Sequence, residues 1–175
     1  MSFEDLDGEK NDLVCFSGEL DVCVVKAIID LFEKLVLDND RIGRVVTKSS
    51  GFEAIESPNI SPTSYIERIH EFCIYSPASH IIALIYIERI IDIKGRDLDV
   101  TSLTFHRLYL TFCMIASKFI DDTYYSNARW AQVGGIGIKE LNSLEMEALF
   151  DCGFCLFVSC DEYSLYKNRL IGQGV

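Results

Sequence analysis

The sequence predicts an all-α fold, and three observations predict it. Every long apolar pattern recurs at helical spacing rather than at the alternation of a strand. Two pairs, Ser61-Pro62 and Ser76-Pro77, each set a capping hydroxyl before a proline suited to the first helical position. The stretch 108–120 is apolar almost all the way round, as expected of a helix that other helices enclose.

The elements follow in order. Residues 1–18 are polar and then mixed, and are expected to form a flexible N-terminus. Over 19–37, Leu20, Val24, Ala27, Ile28, Leu31 and Leu35 make one stripe, with Asp21, Lys26, Asp30 and Lys34 opposite. That is an amphipathic helix, expected to stop at Asp38-Asn39-Asp40. The stretch 41–60 has weak periodicity and reads as a connector with one short ordered turn. A helix over 62–74 turns Tyr65, Ile66, Ile69, Phe72 and Cys73 inward. The next spans 77–93, with Ile81, Leu84, Ile85 and Ile91 apolar and Gly95 behind it.

The central helix is expected to take its cap from Asp99 or Thr101. Lys118 lies in its last turn, where a cation suits the negative end of the helix dipole. A short helix over 126–133 is stopped by Gly134-Gly135. Another over 138–152 carries Leu141, Leu144, Leu149 and Phe150, and Gly153 breaks it. Phe154, Leu156 and Val158 then alternate in an extended piece, and a last helix covers 161–170.

Composition narrows the function. At 175 residues and 49% hydrophobic, one domain with a sizeable core is expected. A net charge of −11 with scattered Lys and Arg builds no basic stripe, so nucleic acid is not an expected partner. No run is long and apolar enough for a bilayer, so no membrane is expected either. The seven cysteines are odd in number and lie mostly in apolar patterns, and MSFEDLDGEK is not a signal peptide. Free, mostly buried thiols and a location in the cytoplasm, the nucleus or both are expected.

Two long runs carry a resemblance. Residues 116–150 read ASKFIDDTYYSNARWAQVGGIGIKELNSLEMEALF, and 61–90 read SPTSYIERIHEFCIYSPASHIIALIYIERI. Together they resemble the cyclin box of the P-type cyclins, called U-type in plants, a group that includes the cyclins of the fungal phosphate response. The likeness covers roughly 60–158. It implies a single five-helix cyclin box over 60–158. Ahead of it, 19–59 would be an extra N-terminal helix and connector, and behind it 159–175 a C-terminal helix and tail. It also implies a regulatory subunit, not an enzyme, that binds and activates a cyclin-dependent protein kinase by holding the kinase's regulatory helix.

The site residues come from that resemblance, position by position. Lys118 matches the family's lysine, and Glu145, nine residues before Phe154, matches its glutamate. In the family these two form an ion pair that meets the kinase helix. Phe119, Leu149, Phe154 and Leu156 match its apolar groove. Arg68 and Glu88 match a structural ion pair, with Glu where the family has Asp in Tyr86-Ile87-Glu88-Arg89. The family's Met-Arg-Ala-Ile-Leu substrate-docking run is absent, since the helix reads SYIERIHEF. The implied partner is a kinase like that of the phosphate response. No cofactor is implied, and without the kinase a monomer is expected.

Blander and rival readings stand beside this. Spacing alone makes Lys118 and Glu145 an ordinary surface ion pair, worth little. A cyclin-fold interaction module without kinase activation is one alternative. A small thiol or zinc protein using Cys152 and Cys155 is another, but that C-x-x-C closes a helix, and only Cys160 is near as a further ligand. Asp121-Asp122 lacks a calcium loop. His70, His80 and His106 share no catalytic motif, and Gly134-Gly135-Ile136-Gly137 lacks the Lys and Ser/Thr of a phosphate loop. Alkylation of the native protein under non-reducing conditions is expected to label all seven cysteines after unfolding, and a stoichiometric Cys152–Cys155 disulfide would restore the thiol reading.

Overall fold

The computed structural model of the protein describes residues 18–43, 50–73 and 76–172. It holds α1 (Gly18–Ile42), α2 (Pro62–Cys73), α3 (Ala78–Lys94), α4 (Phe105–Ile120), α5 (Asn127–Gly134), α6 (Ile138–Asp151) and α7 (Cys160–Gly172), with no strand among the described residues. The expected flexible start, the middle of the connector, the end of the 62–74 helix and the tail beyond 172 lie outside the described residues.

The apolar run of the sequence becomes the central helix. In α4, 12 of the 16 residues are buried, and α2, α3, α5 and α6 surround it. α5 can cross closely because of Gly134: a Cβ there would stand 2.3 Å from a methyl carbon of Leu110. α1 packs on α2, α3 and α7. Its Phe32 is fully buried, with ring centroids 5.1 Å from Phe105 and 5.4 Å from Tyr109. Full burial of such a ring contributes about 2 kcal/mol, so α1 belongs to the core.

Several local expectations are corrected, each by a tertiary contact. α1 does not stop at Asp38-Asn39-Asp40. The buried Asn39 amide donates to Asp99 Oδ1 and to the Val100 carbonyl, both at 2.8 Å, and Asp40 accepts from the Ser102 N–H. These bonds hold the helix on to Ile42. Neither Asp99 nor Thr101 caps α4: Thr104 is the N-cap residue, and its hydroxyl donates to the Asp99 carbonyl. Phe72 does not turn inward. It is 42% exposed, with the Arg129 guanidinium over its ring.

From residue 50 onward the connector is anchored. Phe52 is fully buried and stacks on Phe112, and the Ala54 N–H donates to the Leu103 carbonyl. The Ser50 hydroxyl and the Gly51 N–H both donate to Glu147 Oε1. The alternating piece after Gly153 makes no strand. Of the six described thiols, all free, only Cys73, Cys113 and Cys152 are buried. Cys15 lies outside the described residues.

The paired Ser-Pro signals act as expected at α2, where the Ser64 N–H donates to the Ser61 hydroxyl. α3 ends at Gly95, at φ +59°, whose N–H closes on the Ile91 carbonyl. Two histidines that are far apart on α2 and α3 meet: His70 Nδ1 lies 3.1 Å from His80 Nε2. His80 Nδ1 lies 2.6 Å from the Tyr109 hydroxyl. A neutral imidazole has one donor and one acceptor nitrogen, so it can serve both neighbours. Burial, and then the neighbouring His70, push the His80 pKa down to about 3.

This has a consequence for stability. Below its ordinary pKa of about 6.5, the unfolded chain takes up a proton at His80 that the folded chain refuses. Stability contributed by this site is therefore complete above that pH and falls as pH drops toward 3. At pH 5 the loss is about 2 kcal/mol. Urea unfolding at pH 7.5 and pH 5 should show this fall in the wild type and a clearly smaller one in His80→Gln; equal falls would refute the assignment.

Candidate functional site

The site is built where α4 ends. Lys118 Nζ reaches Glu145 Oε1 of α6 at 2.6 Å, with the side chains 25% and 17% exposed. Glu145 Oε2 accepts from Asn127 Nδ2 at 2.8 Å. The same amide nitrogen lies 2.8 Å from Asn142 Oδ1. The glutamate therefore carries a charged and a neutral donor, which fixes its carboxylate at the junction of α4, α5 and α6. Asp121 turns the other way. It accepts from the Ser117 and Ser79 hydroxyls, and burial pushes its carboxyl pKa up.

Near the ends of α4 and α6, and in the segment behind α6, four phenylalanines stay in water. Phe119 is 51% exposed, Phe150 66%, Phe154 55% and Phe157 76%. Such large apolar groups in water mark an interaction surface when they gather on one face. Leu149 and Leu156 are partly buried against the core. The Phe150 and Phe154 rings meet edge to face, with centroids 5.4 Å apart.

The backbone explains the outward turn. α6 closes with the Gly153 N–H on the Phe150 carbonyl and the Phe154 N–H on the Leu149 carbonyl. That pair of bonds is a Schellman closure, with Gly153 at φ +57° in the position glycine favours. Phe154 is also left-handed, at φ +58°, and is the one non-glycine residue with positive φ among those described. A side chain there costs of order 1 kcal/mol or more and persists only when its surroundings hold it.

The holding comes from α3. The Tyr86 hydroxyl donates to the Leu156 carbonyl at 2.6 Å. Arg89 donates to the carbonyls of Cys155 and Phe157, both at 3.2 Å, and pairs with Glu162 of α7 at 2.8 Å. Lys94 pairs with Asp151 at 2.6 Å, tying the end of α3 to the end of α6.

The expected Arg68–Glu88 pair does not form. Arg68 is exposed and lines a concavity of about 430 Å3 with Ile60, Tyr65 and His106. Glu88 lines a different concavity, of about 560 Å3, between α1, α3 and α7, where it accepts from the Tyr166 hydroxyl. In the Tyr86-Ile87-Glu88-Arg89 run the tyrosine and the arginine hold the carbonyls of 155–157, and the glutamate reaches α7 instead of Arg68.

Cys152 is buried and its thiol pKa is raised, chiefly by burial, whereas a reactive thiol has a depressed one. No group of three or more metal-ligating side chains gathers among the described residues. No helix there is long and apolar enough to cross a membrane. The sequence did not single out Asn127, Arg89, Met146 or Phe157 for the site. Met146, 48% exposed, and Phe150 stand four apart on α6, a spacing that could have marked a second, outward stripe.

The cyclin family model matches residues 26–156, from α1 to the aromatic segment. The chain belongs to the cyclin family. Cyclin-U4-1 of Arabidopsis thaliana is 38% identical over 150 residues, covering 84% of this chain and 74% of the relative. Cyclin-U2-1 of the same plant is 33% identical over 168 residues, covering 92% and 75%. Cyclin-P4-1 of Oryza sativa subsp. japonica is 35% identical over 149 residues, covering 82% and 70%. Within the family this is therefore a cyclin of the P-type or U-type. Cyclins are regulatory subunits and not enzymes. In the free cyclin, a double-mutant cycle on Lys118→Ala and Glu145→Ala should give a coupling of about 1 kcal/mol or less, because the pair is partly solvated.

Proposed function

We propose that this cyclin binds and activates a cyclin-dependent protein kinase, and that the kinase's regulatory helix lies against the Lys118–Glu145 edge. The observation that carries the reading is the pairing itself: the ion pair stands next to Phe119, which the protein leaves half in water. An apolar helix face would cover the rings, while polar groups at its end met the lysine and the glutamate. Phe119, Leu149, Phe154 and Leu156 would supply the apolar contact.

The mechanism is conformational. A cyclin that holds the regulatory helix inward lets the kinase form the Lys–Glu pair that orients the ATP phosphates. All bond-making then belongs to the kinase. Among kinases we favour the type of the phosphate response, on the strength of the P-type resemblance. An interaction module without activation is the second reading, and it predicts binding with no gain in kinase activity.

The test titrates purified kinases of the phosphate-response and cell-cycle types with the cyclin and follows affinity and phosphorylation rate together. Removing one partner of a desolvated interfacial pair costs roughly 2–5 kcal/mol, or roughly thirtyfold or more in affinity. Lys118→Ala and Glu145→Ala should each lose that much while keeping helix content and thermal midpoint. Phe154→Ala should weaken binding as well. Wild-type affinity in both charge variants would remove the clamp, and no binding by the wild-type cyclin to either kinase would remove the reading.

A further inference from the structure

Three successive carbonyls of the aromatic segment are all held from one turn of α3. Arg89 Nη1 donates to Cys155, the Tyr86 hydroxyl to Leu156, and Arg89 Nη2 to Phe157. The same Nη2 lies 2.8 and 2.9 Å from the two carboxylate oxygens of Glu162, in the first turn of α7. Residues 155–159 have neither helix nor ladder of their own. The α3 side chains therefore supply the partners that regular structure would otherwise give.

We propose that Arg89 is a positioning residue for kinase recognition. It fixes the backbone of 155–157, so that Phe154 and Phe157 stand outward before any partner arrives, and Glu162 of α7 holds the guanidinium in place. The proposal rests on the kinase-binding reading above. It follows from what each group can do. A guanidinium is a rigid fork of five donors and can meet two carbonyls and a carboxylate together, which a lysine ammonium on a flexible stem cannot. Arg89 keeps 30% of its side chain in water, so its role lies in direction more than in burial. Rings already fixed lose less freedom on binding, which is where the affinity comes from. The C-terminal helix thereby becomes part of the recognition apparatus: moving α7 would release Arg89, and with it the aromatic segment.

The experiment compares Arg89→Ala, Arg89→Lys and Glu162→Gln with wild type. Arg107→Ala serves as control, since it breaks an Arg–Glu pair of 2.7 Å on α4 and α6. Affinity is measured by titration with whichever of the two purified kinases the wild type binds, and hydrogen exchange is followed at the amides of 155–158 in the free cyclin. Arg89→Ala should bind roughly tenfold more weakly, with faster exchange confined to that segment. Arg89→Lys should not restore it, Glu162→Gln should fall between, and the control should match wild type. Wild-type binding by Arg89→Ala alongside weak binding by Phe154→Ala would overturn the proposal, as would an equal loss in the control. Unchanged exchange at 155–158 in Arg89→Ala would overturn it independently of any kinase. If Phe154→Ala and the Lys118 and Glu145 variants all bind like wild type, it is the placement of the kinase helix on this part of the cyclin that falls; if the wild type binds neither kinase, it is the kinase reading.

Discussion

The structure depends on the burial of α4. A helix apolar on nearly every face cannot rest against a single partner. Four helices lie directly against it, and α1 reaches it through Phe32. The connector closes the remaining side with Phe52. Each of these placements removes apolar area from water, and together they determine where α4 can end. It ends at Ile120, with its last charged residue, Lys118, at the molecular edge. The position of the candidate site is thus a by-product of covering the central helix.

The exposed phenylalanines obey the opposite constraint. A chain that sinks Phe32, Phe52, Phe105 and Phe112 completely leaves Phe119, Phe150, Phe154 and Phe157 more than half exposed. Phe154 is turned out at a backbone angle that bulky residues avoid. Exposure and an unfavourable backbone angle thus fall together at Phe154, and the contacts from α3 offset the cost of that angle. Tyr86, Arg89 and Glu162 keep that surface from relaxing inward. Net charge of −11 helps keep such a surface soluble.

Much of the architecture was legible in the residues. The seven helices follow from helical periodicity, and the Ser61, Gly95, Gly135 and Gly153 punctuation falls where those residues ease a cap or a left-handed turn. Lys118 and Glu145, 27 residues apart, were paired through the resemblance and stand 2.6 Å apart. Where the reading went astray, a distant contact overrode a local signal. Asp38-Asn39-Asp40 has the composition of a helix end, yet Asn39 binds residues 60 and 61 positions away and α1 continues. Phe72 has the spacing of a core residue, yet Arg129 covers it from α5. Arg68 and Glu88 match a pair of the family, yet here they line different concavities.

By itself, the sequence determined the class of fold, the order and approximate length of its helices, and membership of the cyclin family. The fold class and the helices follow from spacing and residue type within short windows, where the physics is local, whereas the family rests on a likeness spread over most of the chain. Only the tertiary structure decided which aromatics face water, that Asn127 steadies Glu145, and that Arg89 grips a segment 66 to 73 residues further along the chain. Periodicity marks a residue as apolar, but two stripes on one helix look alike until their neighbours are placed. A guanidinium can meet any acceptor within its reach, and which acceptors lie there is settled by the packing of α3 against α6 and α7.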